Sequence, residues 1–213
     1  MTTIGQMPKP EAERFREDRK LLLVPLLIPF PGLPEEGQRI LERYWSEVRD
    51  QIENMERRLG KIKHVYHEAI DSSDDGGLKT LDDMNPSISG FVRTLCRSGA
   101  TMEATEDRAL LEESTDWQRC LTIGVMSEKV LKLASDGYQE STTERYEHIA
   151  RRIDTTLGEN ESGALFIGQD HRVQFPTDVQ VFYVSPPSLD EYRRWVEEQM
   201  RAEVPTSGNE PEA

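Results

Sequence analysis

Between Gly168 and Pro176 the chain runs GQDHRVQFP, and Asp170, His171, Arg172 and Gln174 follow one another closely within it. An Asp beside a His can orient a general base. If Asp170 accepts a hydrogen bond from His171, the paired charge raises the imidazole above its unperturbed pKa of about 6.5. The apolar run GALFIG at 163–168 precedes this loop and VQVFYV at 179–184 follows it. Loops at the carboxyl ends of strands are where α/β proteins bind ligands. Gly168 permits a tight exit and Pro176 fixes φ before the next strand, so the four side chains are candidates for a ligand or partner site. The plainer alternative is a polar hairpin connection with His171 in solvent.

A second pattern is DSSDDGGLKTLD at 71–82. Laid on a twelve-residue calcium loop, Asp71, Ser73 and Asp75 take positions 1, 3 and 5, Gly76 the turn, and Asp82 position 12. Three features oppose it. Lys79 would put a cation beside the ion, Asp82 is shorter than the Glu that calcium prefers there, and the preceding KIKHVYHEAI looks like a strand rather than a helix. An Asp/Ser/Gly cluster is also what a strand-to-helix turn uses, and the segment is expected to be an acidic turn.

The remaining chemistry-bearing residues are scattered. His64 and His67, three apart on a predicted strand, point to opposite faces and cannot grip one metal. Thr105 is expected to cap a helix whose first turn holds Glu106 and Asp107. No P-loop, G-x-G-x-x-G, G-x-S-x-G or H-E-x-x-H motif occurs. No cofactor is implied.

These residues must be positioned by a chain of 213 residues with a formal charge of −14. Such an acidic chain is a poor general binder of nucleic acid, because phosphate contacts need Lys and Arg. The basic island RRLGKIKH at 57–64 is the local exception. Two cysteines, Cys96 and Cys120, make no disulfide framework, the start is charged where a signal peptide is apolar, and the run LLLVPLLIPF carries two prolines. A soluble, cytoplasmic protein is expected. Residues 1–19 form a predicted flexible arm, 20–203 a single domain and 204–213 a disordered acidic tail.

The element pattern is β–α–β–α–α–α–β–β–α, an α/β (or α+β) domain with a mixed sheet of four or five strands under long amphipathic helices. The helix over 35–59 is defined by Pro34 at its start, Gly60 at its end, and a seam of Leu41, Trp45, Val48, Ile52, Met55 and Leu59. That seam is expected to pack within a monomer, with a dimer through 41–59 as the alternative. A long helix over 127–158 is expected to run on a seam from Val130 to Leu157, with a bend at Gly137, and Ser188 with Glu191 fits a capping box. Ile153, Leu165, Phe182 and Val184 are the expected core where that long helix covers the sheet. The function expected from these features is an interaction or regulatory protein with an unidentified protein partner and without catalysis of its own. The alternative is a small-molecule or nucleotide-processing enzyme built on Asp170 and His171, and a remoter one is a calcium-dependent module on 71–82.

Overall fold

The computed structural model describes residues 18–203 except 28, 30 and 31, so nearly all of the arm and all of the tail expected at the two ends lie outside the described residues. Five strands, β1 (Arg19–Pro25), β2 (Ile62–His67), β3 (Thr101–Met102), β4 (Ser162–Ile167) and β5 (Val179–Tyr183), form one sheet in the order β3-β2-β4-β1-β5. The α/β class and the strand number agree with expectation. The sheet is not mixed, however: all four pairings are parallel. β4 is buried at all six positions, as a strand covered on both faces must be.

The described residues form six helices: α1 (Glu35–Leu59), α2 (Asp74–Met84), α3 (Pro86–Arg97), α4 (Arg108–Thr122), α5 (Glu128–Thr156) and α6 (Pro187–Glu203). On one face α1, α2, α3 and α6 pack over Leu22, Val24, Val65, Ala164 and Phe166. On the other face Ile149, Ile153 and Leu157 at the carboxyl end of α5, with Val173 from the β4–β5 connection, pack over Leu21, Leu23, Tyr66, Leu165 and Ile167. Leu41, Trp45, Val48 and Ile52 are buried, and α1 lies against α6 and α3, so the seam offered as a dimer face is used inside the fold.

Several local expectations are corrected. The stretch read as an acidic turn is mostly helix: α2 begins at Asp74, its acidic first turn suits the positive dipole end, and Leu78 and Leu81 are buried one turn apart. Thr105 does not cap α4. Asp107 does, accepting from the Leu110 N–H at 3.1 Å, while Thr105 is buried and accepts from the His67 N–H at 3.0 Å. Ser188 lies inside α6 rather than at its cap, and its hydroxyl donates to Glu47 on α1 at 2.6 Å. Val184 is buried but on the α1 face, and Phe182, on the edge strand β5, is only half-buried.

The largest departure concerns α5. At 29 residues it is about 43 Å long, against roughly 20 Å for a six-residue strand, so it must overrun the sheet. Its amino-terminal half packs on α4 instead, and no α4 residue enters either core cluster. The two helices form an arm. The seam residues Val130 and Leu133 are therefore exposed rather than inward-facing. Gly137 serves close approach, not bending: a Cβ there would lie 2.5 Å from the Trp117 indole of α4.

A candidate active site at the carboxyl edge of the sheet

β2 and β4 are neighbours, yet their carboxyl ends lead to opposite faces, β2 to α2 and β4 to the 168–178 connection. Divergence of this kind opens a crevice in a parallel sheet. Glu68 follows β2 there, and its Oε2 accepts from the Gly168 N–H just past β4 at 2.7 Å. Gly168 admits this approach, since a Cβ would lie only 3.2 Å from that oxygen. The next residue, Ala69, has φ 68°, the left-handed region that a non-glycine residue enters at a cost of about 1 kcal/mol or more. Its N–H donates to Glu106 Oε1 at 3.3 Å. Thr105 and Glu106 are tied to the same turn by N–H bonds to the Ile70 carbonyl at 2.8 and 2.9 Å.

Arg145 of α5 closes the cluster. Its Nη2 lies 2.5 Å from Glu106 Oε1 and 3.6 Å from Glu68 Oε1, and Nε donates to Glu106 Oε2 at 3.2 Å. The Arg145 side chain is 11% exposed, that of Glu106 0% and that of Glu68 22%. Burial alone would lower the guanidinium pKa, but the Glu106 hydrogen bond and the two carboxylate charges outweigh it and hold Arg145 above its ordinary value. Nη1 has no hydrogen-bond partner among the described residues.

His171 completes the arrangement, though not as its sequence neighbours imply. Burial pushes its pKa below the ordinary value, and the charge of Glu68 offsets this only in part. The expected elevation by Asp170 is thus reversed. Gln169 and Asp170 form a turn closed by the His171 N–H on the Gly168 carbonyl at 3.3 Å, and Asp170 is exposed and lines a different hollow from the one His171 faces. Nδ1 of His171 accepts from the Val173 N–H at 3.3 Å, which assigns the proton of the neutral ring to Nε2. The ring sits 5.9 Å from that of Phe175. Nor is the loop a hairpin, since it carries the chain from β4 past β1 to the parallel β5.

Beside the cluster, a cavity of about 750 Å³ runs along α5, and Asp170, Arg172 and Gln174 line it together with Tyr146. Burial raises the Tyr146 pKa, and the Glu68 charge adds to the rise, so this residue adjoins both cavity and cluster. The loop candidates are therefore divided, His171 toward the crevice and the other three toward the cavity. Sequence reasoning missed Arg145 and underrated Glu68 and Glu106. Nothing in TTERYEHIARR distinguishes the buried Arg145 side chain from the exposed charges Glu144, Glu147 and Arg151, whereas the position of Glu68 at the end of a strand rich in β-branched and aromatic residues was a usable signal.

The other candidates do not converge. Asp71 pairs with Arg108 at 2.7 Å and Asp82 with Arg93, while Asp75 and Asp82 belong to a helix instead of wrapping around an ion. Among the described residues no group of three or more His, Cys, Asp or Glu is placed to hold a metal ion. The basic island is split: Lys61 pairs with Glu56 at 3.0 Å, and His64 bridges Glu103 at 2.8 Å and Glu161 at 3.0 Å. No helix among the described residues is long and apolar enough to cross a membrane.

His67 faces the α1 side, its ring 6.1 Å from that of Phe166. Its Nδ1 donates to the Glu68 carbonyl at 2.5 Å, Nε2 is buried without a partner among the described residues, and burial pushes its pKa down to about 4. Between the unfolded value near 6.5 and about 4, the unfolded state binds a proton that the folded state does not. Stability should therefore be constant above pH 7 and fall by up to about 3 kcal/mol as pH drops through that window. Urea titrations at pH 7.5 and 4.5 on wild type and His67→Phe measure it, and the variant should lose less.

The fold and crevice define a parallel α/β protein with a charged site at the carboxyl edge of its sheet. No protein-family model matches the sequence, and neither a curated protein nor a solved structure matches it.

Proposed function

We propose that the protein is an enzyme that turns over a small polar substrate by acid–base chemistry in the crevice between β2 and β4. The observation that carries this reading is the convergence there of Glu68, Arg145, Glu106 and His171 from four separate segments, beside a left-handed Ala69. Glu68 is the general base: Oε2 is held by the Gly168 N–H and the side chain is partly open to solvent. It takes a proton from water or from the substrate. The charge that develops on a substrate oxygen is met by Arg145 Nη1 and the Nε2–H of neutral His171, donors fixed in advance in a partly buried site. Glu106 holds Arg145 in place. Free Cys96 and Cys120 are in keeping with a cytoplasmic location.

Turnover assays test the proposal on panels of esters, lactones and amides and on metabolite extracts followed by mass spectrometry. Glu68→Gln keeps the bond from Gly168 but removes the base, and should lower the rate about 100-fold or more; His171→Gln should lower it about 10-fold or more. Full activity in Glu68→Gln, or no turnover across all panels, would overturn it.

A second reading keeps the protein as an interaction module. Its support is the tip of the α4–α5 arm, where Ile123 is 79% exposed, Leu133 61% and Met126 fully exposed. Apolar side chains clustered in solvent favour a partner.

A further inference from the structure

We propose that the cavity along α5 is a groove for a short, extended, basic segment of a partner protein. This occupant is independent of the chemistry proposed for the crevice. The floor of the groove runs along one face of α5 from Ser135 to Arg151, sixteen steps of 1.5 Å or about 24 Å. At about 3.3 Å per residue that length takes an extended chain of about seven residues, whose peptide groups, unlike those of a helix, are free to bond to the lining.

The lining matches such a chain. Uncharged Gln139, Thr142 and Gln174 offer donors and acceptors to peptide groups, and Thr142 Oγ1 is buried without a partner among the described residues. Half-buried Tyr138 and Tyr146 offer apolar faces between them. Along the open side, a shallower hollow shares Gln139, Thr143 and Glu147 with the groove and adds Asp136, Glu140 and Glu144. Asp136 pairs with Lys132 at 2.7 Å, and Glu147 approaches Arg151 at 3.6 Å. Among the described residues Glu140, Glu144 and Asp170 have no ion pair, against Arg172 as the one unpaired cation that lines the groove. The surplus is negative, and it selects Lys and Arg in the occupant. A second copy of this chain, itself at −14, is disfavoured by the same charge.

Fluorescence anisotropy on the full chain with labelled eight-residue peptides tests the proposal, one alternating arginine with leucine and one alternating glutamate with leucine. The basic peptide should bind at least 10-fold more tightly, and its affinity should fall about 10-fold or more between 50 and 300 mM salt as screening shortens. Glu140→Lys with Glu144→Lys, both exposed, should cost a further 10-fold while circular dichroism stays unchanged. Glu68→Gln should bind as wild type, which separates the groove from the proposed catalysis. Equal binding of the acidic peptide, or wild-type affinity in the double lysine variant, would sink the proposal. So would sedimentation showing a wild-type dimer that the double variant dissociates, because a second copy would then cover this face.

Discussion

Replacing Arg145 with alanine is expected to destabilise the fold by about 3–5 kcal/mol, the range found when one partner of a buried ion pair is removed. Among the described residues Arg145 is the only ion-pair partner of the fully buried Glu106, and it also faces Glu68 at 3.6 Å. Deleting it leaves two neighbouring carboxylates whose remaining hydrogen bonds among the described residues come from the backbone N–H groups of Ala69 and Gly168. The cost is desolvated charge, not lost packing. Arg145→Met combined with Glu106→Leu should therefore recover much of the stability, since an apolar replacement of a buried pair is often neutral or better. Urea denaturation of the single and double variants measures both numbers. If the charged pair serves catalysis, the double variant will be stable and inactive. A single variant that unfolds like wild type would mean that Glu106 is not buried as a charge.

Phe166→Ala is expected to cost a similar 3–5 kcal/mol by a different route. Phe166 is fully buried on β4, between β2 and β1, in register with His67 and Val24. Truncation opens a cavity under α1 and α3 that β-sheet neighbours cannot collapse to fill. For a domain of this size the melting temperature should fall by about 10 °C. Because the cavity also lies beside the His67 ring, water entering it would hydrate the imidazole and reduce the acid sensitivity that burial creates. Phe182→Ala, on the edge strand and half-buried, should cost about 1–2 kcal/mol, well below what a core position would.

α1 was legible to the residue because three independent signals agree: Pro34 before it, Gly60 after it and an apolar seam between them. α2 was not legible, because Asp, Ser and Gly have turn chemistry locally and become helical only through burial of Leu78 and Leu81 against the core. Gly77 shows the tertiary constraint directly, since a Cβ there would lie 3.0 Å from the Met102 side chain of β3. The parallel sheet was half legible. LLLV and GALFI are continuous apolar runs, the mark of strands covered on both faces, yet the short 168–178 connection has no helix and so suggested a hairpin. The His171 loop was found because its residue types are unusual together. Arg145 was hidden because burial of one arginine on a charged helix depends on which sheet edge the helix crosses.

The register of β1 bears on how the chain comes to fold at all. Lys20 pairs with Ser162 on one side and Gln180 on the other, so both neighbours of this strand lie at least 140 residues downstream. A growing chain that has released β1, α1, β2 and α2 through α5 still offers no partner to the backbone of Leu21, Leu22, Leu23 and Val24. During synthesis at 5–20 residues per second that apolar strand waits roughly 7–30 s, an unpaired template of the kind that recruits chaperones or other strands. Contacts this distant are also the slow ones to form, because loop closure must precede the reward of pairing. Because β1 lies between β4 and β5, completion of the sheet waits for β5, and assembly of the crevice between β2 and β4 waits for β4, however early β1 and β2 are made.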